Sequence, residues 1–165
     1  EIQAEASYRS DRRRKDVVFL GNYAHTPNID AARWLAEDIA PRVRLLNPDI
    51  RFVLAGAAMP GNIKTLACEN VRAVGHVACL DELFATARLS IAPLRFGAGI
   101  KGKVPESLAR GVPLVLTPLA AGGPVPDARP ASPAAEKPQL LASQVADLYR
   151  NRAARKKRSD LSVRR

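Results

Sequence analysis

Ala92-Pro93-Leu94-Arg95-Phe96-Gly97-Ala98-Gly99-Ile100-Lys101-Gly102-Lys103-Val104 is the stretch that decides the fold. It joins two elements of different period. Leu89 to Leu94 is near-continuously apolar and suits a buried strand, while Val104 to Arg110 suits a helix with Gly111 at its C-cap position. Residues 97–103 between them form a Gly/Lys loop. Amides unobstructed by a Cβ, a helix start and two lysines together make an anion site, with a phosphate or diphosphate as natural guest. The candidates are Gly97, Gly99, Lys101, Gly102 and Lys103. The same residues also describe a plain glycine turn with surface lysines, and the loop alone does not choose. Two generic patterns overlap here. Gly97, Gly99 and Gly102 match G-x-G-x-x-G, but after the fourth strand rather than the first, and the next acid past Glu106 is Asp127, in a Pro-rich stretch. Gly97 to Lys103 also matches G-x-x-x-x-G-K, but Val104 stands where a P-loop needs a hydroxyl on magnesium. Dinucleotide binding and NTP hydrolysis are both disfavoured.

Working outward, the same alternation recurs. Asp16 to Leu20 reads as a strand ended by Gly21, and a polar loop leads to a helix from Asn28. Leu35, Ile39, Val43 and Leu46 keep helical spacing, and Pro41 should kink or split that helix. Arg51 to Gly56, Val71 to Val74 and Pro113 to Thr117 supply further strands. Asn62 to Ala67 is a short helix at most, and Asp81 to Ala87 is another, with Leu83, Phe84 and Ala87 facing in. Apolar strands alternating with helices imply an α/β fold, a Rossmann-like doubly wound parallel sheet that binds ligand beyond the strands' carboxyl ends. The loops there are 21–27, 56–62, 75–80, 95–103 and 117–123. Residues 17–121 make this domain. Residues 122–138 hold five Pro, four Ala and two Gly and read as a linker. Helical spacing resumes over Gln139 to Arg155, with Leu140, Leu141, Val145, Leu148 and Tyr149, inside a final segment 139–165 that ends in a basic tail.

The net charge of +10 invites a nucleic-acid or membrane-surface reading. Its distribution weakens that. Residues 17–149 are net +2, whereas 150–165 carry eight basic residues against Asp160. Such a tail is ordinarily solvated and touches anionic lipid or nucleic acid without specificity. The body shows no base-reading pattern. Glu1 to Asp16 lacks the apolar core of a signal peptide, no apolar run could span a membrane, and Cys68 and Cys79 make no disulfide framework. The expected setting is cytoplasmic, with the basic tail as a contact to the inner face of the membrane.

The body resembles the C-terminal, nucleotide-sugar-binding half of retaining GT-B glycosyltransferases of group 1 (family 4). Phe19-Leu20-Gly21, Pro27-Asn28-Ile29-Asp30-Ala31, Trp34, Val53-Leu54-Ala55-Gly56 and Val71 to Gly75 agree in order and spacing. The specific block is Ala92 to Val104 with Glu106 and Gly111-Val112-Pro113. The resemblance implies transfer of a sugar from a nucleoside-diphosphate sugar to an acceptor, with retention and with no cofactor or bound metal. In the family the second Glu of an E-x7-E motif binds the donor ribose, and Glu106 occupies that place. The first Glu would fall at Ala98, so this chain follows a Gly-rich variant. Lys101 and Lys103 would neutralise the diphosphate, whose charge grows as it leaves. The loop with Gly21, Asn22 and His25 would approach the phosphates or the interdomain cleft, although the family's Arg and Lys phosphate ligands are not evident there.

Two departures accompany the resemblance. A GT-B enzyme has two Rossmann-like domains, and 165 residues hold one. The N-terminal, acceptor-binding domain is then missing, residues 1–16 are a linker remnant, and the chain alone turns over little. The family's acid-glycine loop after the fifth strand is replaced by Ala120-Ala121-Gly122-Gly123-Pro124. That fits a fragment, a degenerate copy or a shifted reading frame. The competing reading is a non-enzymatic, basic-tailed interaction module on a degenerate Rossmann core.

Overall fold

A computed structural model describes residues 14–97, 103–117, 119–120 and 137–163, with the backbone alone for 103–105 and 159–163. Five strands form one parallel sheet: β1 (Asp16–Leu20), β2 (Arg51–Ala55), β3 (Val71–Gly75), β4 (Ala87–Ala92) and β5 (Leu114–Leu116). Their order is β3-β2-β1-β4-β5. All four pairings are parallel, with Val17 opposite Phe52 on one side and Leu89 on the other. The helices are α1 (Thr26–Trp34), α2 (Ala40–Leu46), α3 (Gly61–Lys64), α4 (Leu80–Ala85), α5 (Lys103–Ala109), α6 (Pro138–Arg150) and α7 (Arg152–Val163). None of those described is long and apolar enough to cross a membrane.

The inner strands β2, β1 and β4 are largely apolar on both faces because both faces are covered, whereas the edge strand β3 leaves Arg72 and Val74 exposed. Val17, Phe19, Phe52, Leu54, Leu89 and Ile91 share the larger core with Leu35, Ile39 and Val43, and with Leu141, Val145 and Leu148 of α6. Alternate positions Val18 and Val53 face the other way, into a smaller core with Phe84, Ala87 and Val112. Ser90 lies on that second face and is buried. Its hydroxyl donates to the Val18 carbonyl (3.0 Å), and Ser107 on α5 donates to Ser90 (2.9 Å). This buried chain of hydroxyls fixes how α5 is rolled against the sheet.

Four expectations need correction. The fourth strand runs Ala87–Ala92 rather than from Leu89 to Leu94, so Ala87 is strand and not part of the preceding helix. The Thr86 carbonyl accepts the amides of Lys15 (2.9 Å) and Asp16 (3.1 Å), which starts the β1–β4 pairing early. The first helix begins at Thr26, two residues before Asn28, because Pro27 fits its first turn, where no amide is needed. Pro41 does not split the helix. Residues Leu35–Ile39 widen into a π-turn in which the Ala40 amide donates to the Leu35 carbonyl. That wider turn makes room for a proline ring that would otherwise collide with the carbonyl four residues back. The helix expected over Gln139 to Arg155 breaks at Asn151, whose side-chain oxygen accepts the Ala154 amide (3.0 Å) and starts α7.

The basic C-terminal stretch is therefore largely helical, and it packs on α5 and α6. Lys156 and Lys157 are exposed, as a solvated tail would have them. Arg155 is not: it is buried and donates to the Leu148 (3.0 Å) and Tyr149 carbonyls, two of the carbonyls in the last turn of α6. Of the expected linker 122–138, residues 122–136 lie outside the described residues, and Pro138 opens α6.

The loops after β1 and β2 touch at backbone level. The Gly21 amide donates to Ala55 and the Tyr23 amide to Ala57, each at 2.9 Å. Gly56 has φ +134°, and a Cβ there would lie 1.6 Å from the Gly21 carbonyl oxygen. Gly56→Ala is therefore expected to cost about 3 kcal/mol, roughly 6–12 °C in Tm. Gly61→Ala, where a Cβ meets nothing within 4 Å, is the control and should change Tm little. Equal thermal melts for the two variants would contradict the close approach.

Candidate functional site

Crossovers from β1 run outward through β2 to β3, and those from β4 run the opposite way to β5. The strand order thus reverses between β1 and β4. In doubly wound sheets the crevice at that reversal is where ligand binds. Here its two walls are the loop holding Gly21, Asn22 and His25 and the segment holding Arg95, Phe96 and Gly97, two of the segments singled out in the sequence.

The first wall is held by its own polar groups. The Asn22 side-chain oxygen accepts the Ala24 amide (3.0 Å). Its backbone carbonyl accepts the His25 amide (3.2 Å) and the side-chain amide of buried Asn28 (2.6 Å). His25 is the N-cap residue of α1, but its side chain makes no capping hydrogen bond. Its backbone carbonyl accepts the Asn28 amide at 3.0 Å. The histidine ring is left on the exposed side of the loop. Tyr23 is enclosed, with its ring edge-on to Phe19 at 6.3 Å between centroids. Burial raises its pKa well above the ordinary phenol value, so it stays neutral.

The second wall is pinned at three points. Thr117, just past β5, donates its hydroxyl to the Leu94 carbonyl at 2.5 Å. Arg95 forms a two-point fork on Asp30 of α1, Nε to Oδ2 at 2.8 Å and Nη2 to Oδ1 at 2.5 Å. Its guanidinium also lies 5.0 Å from the centre of the Trp34 ring. The hydrogen bond to Asp30 holds the Arg95 pKa above its usual value. Gly97 has φ +108°, and a Cβ there would sit 2.6 Å from the Pro27 ring. Glycine is therefore required at the exit from β4, where the Gly/Lys segment begins.

Of the expected diphosphate ligands, Gly97 lies in this wall and the backbone of Lys103 opens α5. Gly99, Lys101 and Gly102 lie outside the described residues, as does the Lys103 side chain. Glu106 lies in the first turn of α5 and is paired with Arg110 one turn on. Arg110 also reaches Asp81 of α4 (2.8 Å) and lies over the Phe84 ring at 5.5 Å. Burial works against the charge on Arg110, but the hydrogen bonds to Asp81 and Glu106 outweigh it and raise its pKa. The helix behind Arg110 ends as the sequence indicates. Gly111 is left-handed (φ +65°), its amide reaches Leu108 (3.0 Å), and the Val112 amide reaches Ser107 (2.9 Å), which is the Schellman pattern. Among the described residues no three His, Cys, Asp or Glu side chains converge as a metal site would require.

Sequence reasoning missed two contributors. Arg110 stands four residues after Glu106, so helical spacing could have found that pair. The Arg95–Asp30 fork spans 65 positions and left no local signal.

A family model described as "Glycosyl transferases group 1" matches residues 14–151. No curated protein sequence matches the chain. Among solved structures, S. aureus TarM, in a complex with fondaparinux, α-GlcNAc-glycerol and UDP, superposes with a TM-score of 0.73 at 13% identity over 94% of this chain. WaaG, a glycosyltransferase involved in lipopolysaccharide biosynthesis, gives 0.69 at 16% over 93%. An E. coli trehalose-6-phosphate protein bound with UDP-2-fluoro glucose gives 0.64 at 14% over 99%. The chain spans only 32%, 43% and 42% of those three proteins. At such identities the likeness is one of fold, and it is the GT-B Rossmann-like half that is matched.

The fork on Asp30 gives this site its test. Arg95→Gln and Asp30→Asn should each lower stability, with a coupling between them of about 0.5–1 kcal/mol because the pair is partly exposed. Arg95→Lys should recover little, since an ammonium offers no planar fork. Additive effects in denaturant unfolding would show that the fork does not hold the wall.

Proposed function

The chain belongs to the group 1 glycosyl transferases, and from that premise we propose that it is the donor-binding part of an enzyme that moves a sugar from a nucleoside-diphosphate sugar to an acceptor, with retention. The observation that carries this reading is the meeting of the β1 and β4 loops where the strand order reverses, with the Gly/Lys segment leaving that point. The UDP and UDP-2-fluoro glucose of two structural neighbours favour the same class of donor.

In this reading Gly97, Gly99 and Gly102 let backbone amides approach the diphosphate, and Lys101 and Lys103 neutralise it. Glu106 accepts the ribose hydroxyls. As the bond from the anomeric carbon to the diphosphate oxygen breaks, negative charge collects on that oxygen. Fixed cations and amides stabilise the charge without having to reorganise. The new bond forms from an acceptor hydroxyl on the same face, and its proton passes to the departing diphosphate oxygen. Gly21, Asn22 and His25 form the opposite wall and meet the phosphates or the acceptor side. The neighbours are two to three times longer than the matched length, so we assign the acceptor-binding half to sequence outside these 165 residues and expect little turnover from this chain alone. Soluble nucleotide sugars and the unpaired Cys68 and Cys79 both suit a cytoplasmic setting. Exposed Lys156 and Lys157 offer the membrane or nucleic-acid contact of the competing interaction-module reading.

Calorimetric titration with UDP and GDP tests this directly. Weak binding of at least one is expected, reduced about tenfold or more by Lys103→Ala and by Glu106→Ala, as for lost charged hydrogen bonds. Absence of binding to both nucleotides, or binding indifferent to both substitutions, would overturn the assignment. Salt-sensitive binding to anionic vesicles or nucleic acid, lost on replacing Lys156 and Lys157, would then favour the interaction module.

A further inference from the structure

We propose that Arg110 is the positioning residue that makes Glu106 a selective acceptor for a ribose diol, so that the preference for ribonucleotides over deoxyribonucleotides at this site resides in an arginine that never touches the ligand. This deepens the donor-binding reading above and rests on it.

The argument begins with a charge problem. A carboxylate placed to bind a ribose must sit near a diphosphate, and two anions at short range repel. Glu106 therefore needs a nearby cation that stays put. Arg110 meets that need in an unusually fixed form. Its Nη1 donates to Oε2 of Glu106 and to the Glu106 backbone carbonyl (3.1 Å), and its Nε donates to Oδ1 of Asp81 (2.8 Å). Its guanidinium rests over Phe84, which is buried in the smaller core.

The exposures rank the three groups. The Arg110 side chain is 27% exposed, Glu106 42% and Asp81 81%. The cation is thus the enclosed member and the carboxylates are its open ends. A guanidinium has five donors and no freedom to pucker, so partners on two edges and an aromatic face set its plane. The backbone beneath it is equally constrained. Gly111 closes α5 immediately after Arg110, and Ser107, beside Glu106, is tied through Ser90 to the β1 backbone.

With Oε2 engaged by Arg110, Oε1 has no hydrogen-bond partner among the described residues. A carboxylate held by one oxygen and open at the other has a fixed direction in which to accept a second donor. A vicinal diol matches that geometry better than a single hydroxyl does, because both of its O–H groups can aim at the same carboxylate. Removing Arg110 would leave Glu106 free to rotate and unneutralised beside the diphosphate. The carboxylate would then repel either nucleotide rather than select one.

The test compares UDP and GDP with their 2′-deoxy forms by calorimetry on the whole chain. The unaltered protein is expected to prefer the ribonucleotide by about tenfold, one charged hydrogen bond. Arg110→Met keeps an apolar stem over Phe84 and should lower that ratio to twofold or less, with Arg110→Lys between the two. In a Glu106→Gln background, Arg110→Met should have no further effect on the ratio. A ratio unchanged by Arg110→Met, or lowered equally with and without the Glu106 carboxylate, would overturn the proposal while leaving donor binding intact. Failure of the unaltered chain to bind either nucleotide would overturn both readings. Thermal melts identify unfolded variants. Should Arg110→Met not fold, Arg110→Lys decides the matter by the same ratio.

Discussion

The fold turns on β1, which pairs in parallel with β2 on one side and β4 on the other while both of its faces are covered by helices. A strand so enclosed has its polar backbone groups taken up by its neighbours and must be apolar at every interior position, as Val17, Val18 and Phe19 are. Because the chain leaves β1 toward β2 and returns on the far side as β4, the helical connections splay apart at the carboxyl end of this strand. The crevice follows from the winding of the chain and would exist whatever side chains lined it.

What this chain adds is rigidity at the mouth of the crevice. Gly56 lets the β2 loop lie against Gly21, Gly97 lets the β4 exit lie against Pro27, and Arg95 spans from that exit to Asp30 and Trp34 on α1. The glycine contacts link the walls through backbone, and the fork on Asp30 already holds the long Arg95 side chain, so little freedom is left to lose on binding. On the far side of β4, the Ser107–Ser90 hydrogen bond sets the roll of α5, and with it the direction of Glu106. The walls and the carboxylate are thus positioned by separate contacts, so damage to one need not displace the other.

The parallel sheet was legible because its strands are nearly pure runs of β-branched and apolar residues bounded by glycine. The exit from β4 stood out through Gly97 and its neighbours, whose residue types permit close backbone approach, but the strand order that places it at the reversal left no local signal. Boundaries that depend on tertiary pairing were not. Ala87 joins β4 because the Thr86 carbonyl is captured by the amides of Lys15 and Asp16. Pro41 reads as a breaker in one dimension, yet the π-turn before it absorbs the ring within a continuous helix. Arg155 counted toward a solvated basic tail in the sequence, and in space it closes the end of α6. The Arg95–Asp30 fork depends on two segments far apart in the chain, and neither residue type announces the other. The assignment of Lys101 and Lys103 to a diphosphate rests on pattern and resemblance alone, whereas Glu106 gains a physical context from Arg110.

Charge illustrates the same distinction. The net +10 resides mostly in the last sixteen residues, and of these Arg152–Val163 form a helix packed on α5 and α6. The cations relevant to a diphosphate are few and local. Whether ligand goes to the crevice or to the basic flank is settled by titrating the 15N-labelled chain with UDP or GDP and following each amide by NMR. The expected result is that the largest shifts fall at Gly21 to His25, Arg95 to Gly97 and Lys103 to Glu106, with α7 unmoved. Shifts confined to the amides around Lys156 and Lys157, or none at the crevice at saturating nucleotide, would contradict a donor site between β1 and β4.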